Sequence, residues 1–81
     1  MMSGMCIDGQ RGRLVYDPAA DRPLVAFARG GYSGELNCGQ PITLVRGGTV
    51  YETRLELDED GWYYPGTNGL RAQMDDLVYL P

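Results

Sequence analysis

The chain contains no lysine and no histidine. Without histidine there is no imidazole acid or base, no serine or cysteine triad built on one, and no zinc site that needs an imidazole ligand. Without lysine there is no Schiff-base amine and no P-loop ammonium for phosphate. Cysteine is scarce: Cys6 and Cys38 make a poor metal site, and a secreted mini-domain of this size normally carries four or more. The start, MMSGMCIDGQ, has neither the cationic opening nor the apolar run of a signal peptide. No stretch reaches the roughly 18–20 apolar residues of a membrane span, and no lipidation signal is visible. A reduced, cytoplasmic protein with no cofactor and no metal is expected.

What is present fits one small globular domain. The 81 residues are 43% hydrophobic and 22% charged, outside the composition of disordered chains. Eleven acids oppose seven bases, all arginine, for a net charge of −4. An acidic balance opposes the phosphate attraction that dominates nucleic-acid affinity.

Residues 1–10 lack period and read as a flexible tail, leaving 11–81 as the folded domain. In RGRLVYDPAADRPLVAF the apolar runs Leu14 to Tyr16 and Leu24 to Phe27 flank Pro18 and Pro23, so two short strands joined by a turn are expected. The three glycines of ARGGYSGEL mark a second turn or a bent strand. Cys38, in NCGQP, reads as a small buried side chain beside a turn.

The strongest local signal is Gly47-Gly48 between two β-rich runs, the requirement of a two-residue primed hairpin turn. That turn places Arg46 opposite Thr49, Val45 opposite Val50, Leu44 opposite Tyr51 and Ile42 opposite Thr53. With a period of two, Ile42, Leu44, Tyr51, Thr53, Leu55 and Leu57 share a covered face, and Glu52, Arg54 and Glu56 share a wet one.

DEDGWYYPG, residues 58–66, raises the question of a metal loop. Glu56, Asp58, Asp60 and Gly61 imitate the opening of a calcium loop, but Thr67 stands where the closing bidentate acid belongs, and the flanks read as strands. A hairpin loop with a left-handed Gly61 is the better reading. A three-residue loop sets Leu57 opposite Tyr63; a four-residue loop turns Trp62 and Tyr64 inward. Beyond it, Leu70, Met74 and Leu77 suggest one helical or 3₁₀ turn before a last strand at Leu77 to Leu80. The whole describes an all-β, strongly bent antiparallel barrel of five to six short strands.

The order Cys38-Gly39, Gly47-Gly48, Arg54 with Glu56, then Asp60-Gly61-Trp62-Tyr63 resembles a small bacterial family of unknown function with an SH3-like barrel, over roughly residues 11–81. Many members of that family reside in phages and other mobile elements. The resemblance implies the SH3-like fold and an accessory role on a host protein; it implies no activity, because fold does not supply function.

No base accompanies the thiols, Ser33 or the carboxylates, so an enzyme is not expected. A protein-interaction module leads, with Trp62, Tyr63 and Tyr64 as anchor and Arg46 and Arg54 as charged neighbours. The alternative is a nucleic-acid-binding barrel that stacks bases on Trp62 and Tyr64 and uses the arginines for phosphate. A monomer, or a weak homodimer through an unpaired strand edge, completes the expectation.

Overall fold

The computed structural model describes residues 10–81, so Cys6 and nearly all of the expected tail lie outside the described residues. Among the described residues seven strands occur: β1 (Arg11–Asp17), β2 (Arg22–Phe27), β3 (Pro41–Arg46), β4 (Thr49–Arg54), β5 (Glu56–Asp58), β6 (Gly61–Tyr63) and β7 (Leu77–Tyr79). Five form an antiparallel sheet in the order β2-β1-β7-β3-β4, and β5 and β6 form a separate hairpin. The sheet is open, with β2 and β4 as its edges. Among the described residues no helix is long and apolar enough to cross a membrane.

The Gly47-Gly48 hairpin has the expected register, Ile42 to Thr53 through Arg46 to Thr49. Both glycines take positive φ, 61° and 80°, as the primed turn requires. The register aligns Leu14 with Val25 and Leu44 with Val78 across neighbouring strands. All four are fully buried, joined by Leu36, Ile42, Leu55 and Tyr64. Each such side chain contributes about 1.5–3 kcal/mol by leaving water.

Three expectations are corrected. The run from Thr49 to Leu57 is not one strand: it breaks at Leu55, whose N–H donates to Gln40 O (2.9 Å) and whose carbonyl accepts from Gly39 N (2.7 Å). The chain bends there, so Leu55 stays in the core while Leu57, near the hairpin tip, is 51% exposed. Cys38 is exposed rather than buried, because it occupies the outer corner of a turn closed by Gln40 N on Asn37 O (3.1 Å). No helical turn occurs near Leu70 to Leu77. Tyr64 N bonds Leu70 O and Ala72 N bonds Trp62 O, with Arg71 bridging Tyr63, so residues 70–72 run extended beside β6 and a non-helical turn closed by Asp76 N on Gln73 O (3.2 Å) follows.

The β5–β6 loop follows neither expected length. Asp58 pairs with Gly61 and Leu57 with Trp62, leaving Glu59 and Asp60 as a two-residue loop and Gly61 at φ 118°. Its parity is that of the four-residue alternative, so Trp62 and Tyr64 turn toward the core.

Candidate functional site

The aromatic corner is built from the inside out. Tyr64 is fully buried, and its hydroxyl donates to Asp76 Oδ2 at 2.7 Å. Asp76, itself buried, also accepts from Arg46 Nη2 at 2.8 Å on both oxygens, from Arg46 Nε at 3.3 Å and from Gln73 N at 2.8 Å. The Arg46 guanidinium lies 5.9 Å from the Tyr64 ring centroid and donates to Arg71 O as well. Arg46 and Asp76 flank the last paired residues of β3 and β7, Val45 and Leu77, Tyr64 enters from the chain after β6, and among the described residues no buried side-chain nitrogen or oxygen lacks a partner.

Burial pushes the Tyr64 pKa well up, and the Asp76 hydrogen bond and charge push it further, against a smaller opposing pull from Arg46. The folded state thus holds the phenol proton above the unfolded value of about 10. Its contribution is complete below that pH and is lost as pH rises above it. From about pH 10 upward this group lowers stability by about 1.4 kcal/mol per pH unit. Urea titrations across that range should show the slope, and Tyr64→Phe should remove it while costing about 1.5–2 kcal/mol at neutral pH.

Outside this network sits a second arginine. Arg71 donates to both Asp58 oxygens (2.8 and 3.0 Å) and to Gly61 O (3.2 Å), with Asp60 at 3.7 Å. It lies 5.3 Å from the Tyr63 ring centroid. The guanidinium holds the Asp58 carboxyl below its ordinary pKa. Arg71 thereby ties the hairpin tip to the chain leaving it.

The five side chains singled out by sequence do not form one surface. Tyr64 and Arg46 meet, but inside: Tyr64 offers no exposed ring, and Arg46 is spent on Asp76. Trp62 packs partly against the core, Tyr63 is half-buried under Arg71, and Arg54 is paired with Glu56 at 2.7 Å. Each arginine near the corner has a carboxylate partner.

A different surface emerges on the outer face of the five-stranded sheet. The registers set Arg11, Tyr79, Thr43 and Glu52 in one row across β1, β7, β3 and β4, and Arg13, Leu77, Val45 and Val50 in the next. A largely apolar groove of 570 Å³ opens there over Pro41, Thr43, Val45, Val50, Tyr79 and Pro81, with Glu52 as its one charged lining residue on the β4 side. Arg11 and Arg13 are exposed and lack a carboxylate partner among the described residues. The period-two spacing Arg11, Arg13, Val15 and Leu77, Tyr79 was the available signal for this face. Nothing local pointed to Asp76 as the hub, because its side-chain partners, Arg46 and Tyr64, come from distant segments.

Fold and site together define a small all-β antiparallel domain, an open sheet with a detached hairpin buttressed by a buried carboxylate. Residues 12–78 match the family described as "Domain of unknown function (DUF5348)", and the chain belongs to that family. No curated protein and no solved structure matches it.

Proposed function

We propose that the domain is a non-enzymatic, cytoplasmic protein-interaction module that receives an extended acidic segment of a partner protein across the outer face of its sheet. The observation that carries this reading is the placement of Arg11 and Arg13, without carboxylate partners, in the same rows as Tyr79, Leu77, Val45 and Val50. Apolar side chains supply the anchor and arginines the charge that selects an acidic ligand. The corner of Trp62, Tyr63 and Tyr64 is displaced from that role because its rings and cations are already engaged. We read the chain path as an SH3-like barrel left open beyond β4, and the mobile-element resemblance makes a host protein the partner.

Selection from displayed random peptides, followed by fluorescence anisotropy, tests the reading. Acidic and apolar peptides should be enriched, and Arg11→Glu/Arg13→Glu should weaken them at least about tenfold, about 1.4 kcal/mol. Trp62→Ala, if folded, should leave them unchanged. Peptides insensitive to the double arginine change would remove this face from consideration. Retention of DNA or RNA at low salt, lost in the same double variant, would replace the acidic peptide with a phosphate backbone.

A further inference from the structure

The two edges of the sheet are not alike. On β2 the outward groups are occupied by the following loop: Phe27 N donates to Gly31 O (2.9 Å), Ser33 N to Val25 O (2.8 Å), Leu36 N to Pro23 O (2.9 Å) and Val25 N to Ser33 Oγ (2.8 Å). Pro23, which has no N–H, stands at an outward position and wastes no donor. The edge is closed by the chain's own backbone.

On β4 nothing equivalent happens. In a two-residue hairpin the residues flanking the loop exchange both hydrogen bonds, so Thr49, Tyr51 and Thr53 are the members of β4 bonded to β3. The N–H and C=O groups of Val50, Glu52 and Arg54 therefore point away from the sheet. Among the described residues no backbone group bonds to them. An open row of this kind pairs readily with another strand.

The geometry points to a second copy of this chain as the occupant, with β4 pairing antiparallel to β4 about a two-fold axis at Thr53. Three symmetric registers form more than one pair between the outward residues Val50, Glu52 and Arg54. An axis at Tyr51 sets each Glu52 against Val50 of the other copy, with no cation to meet it. An axis at Glu52 sets two carboxylates face to face, which is repulsive. An axis at Thr53 sets each Glu52 opposite Arg54 of the other copy, twice over, and so selects itself by charge complementarity. Arg54 and Glu56 already lie 2.7 Å apart, so the incoming Glu52 extends a row of alternating sign. Pairing stops at Leu55, where the chain bends and its N–H is taken by Gln40. The contact is short and the dimer correspondingly weak. It does not rest on the acidic-ligand reading, whose arginines lie on β1 and of whose apolar anchors only Val50 lies on β4.

Sedimentation velocity from about 1 µM to about 1 mM spans the affinities of short interfaces and reads the dimer directly. The full chain should associate across that range. Glu52→Arg places arginine opposite Arg54, and Arg54→Glu places glutamate opposite Glu52; each should raise the dissociation constant about tenfold or more. The double variant Glu52→Arg/Arg54→Glu restores opposite charges and should return association to within about threefold of the parent. These side chains are exposed, and circular dichroism confirms that each variant folds. Amide exchange at Glu52 and Arg54 should slow with rising protein concentration. A chain that stays monomeric, an association that neither single change weakens, or a double variant that fails to recover would each overturn the proposal.

Discussion

Replacing Asp76 by alanine is expected to cost about 3–5 kcal/mol, because it leaves a buried hydroxyl with no acceptor and a largely buried guanidinium with no counter-charge and only the Arg71 carbonyl to donate to. A domain of this length has a total stability of roughly 4–12 kcal/mol, so the change removes from about a quarter of that stability to all of it. Asp76→Asn is informative beside it. The amide keeps the volume and one acceptor but turns an N–H₂ toward Tyr64, Gln73 or Arg46, all of which donate to the native carboxylate. Its cost should fall between that of Tyr64→Phe and that of Asp76→Ala. Urea denaturation of the three variants at neutral pH checks the order. Equal losses for Tyr64→Phe and Asp76→Ala would mean that Arg46 finds another acceptor without penalty.

Gly12→Ala is expected to be nearly as damaging, although Gly12 is mid-strand and has no unusual φ. A Cβ there would collide with the carbonyl oxygen of Ala26 and stand 2.5 Å from Val25 Cγ1. The first obstacle is backbone of the neighbouring strand, so a change of rotamer does not relieve it. β2 must lift from β1, and Val25 must leave its fully buried position. A loss of about 3 kcal/mol or more follows, equivalent to a fall in Tm of about 12–24 °C. Gly34→Ala is the matched control, since nothing lies within 4 Å of its Cβ position. That change should be neutral or stabilise by about 0.4–1 kcal/mol through the unfolded chain. Thermal melts of the pair separate steric crowding from the generic effect of losing a glycine.

How much of this was legible in the sequence depended on how local each determinant is. Gly47-Gly48 dictates its own turn and so carried the β3–β4 register correctly, residue by residue. Pro18 and Pro23, with the apolar runs beside them, were enough for β1 and β2. The bend at Leu55 was not legible, because it is made by backbone bonds to Gly39 and Gln40 from a different loop. Missing that bend carried Leu57 onto the covered face and merged two strands into one. The helical turn failed for the same reason: apolar spacing over Leu70, Met74 and Leu77 suits a helix, but the carbonyl of Leu70 and the N–H of Ala72 were already committed to β6.

The site was less legible still. Aromatic and arginine composition drew attention to residues 62–64, yet composition is silent on whether a ring is wet. Tyr64 is the largest fully buried side chain among the described residues, held by an acid twelve residues away. The arginines left without carboxylate partners among the described residues, Arg11, Arg13, Arg22 and Arg29, belong to the first half of the chain. An overall charge of −4 concealed them. The acids responsible for that total gather around the hairpin and the buried carboxylate, where the three remaining arginines pair with Asp76, Glu56 and Asp58.

The unequal flanks of the sheet also limit how far copies of the molecule accumulate. A strand layer that is receptive on both sides propagates, since every addition exposes a fresh receptive side, and the end state is a filament. Here the Gly31–Leu36 segment occupies one flank permanently, and union through the other uses up the remaining vacancy. The largest product of such docking is a closed pair, which makes the loop after β2 a safeguard against fibril growth.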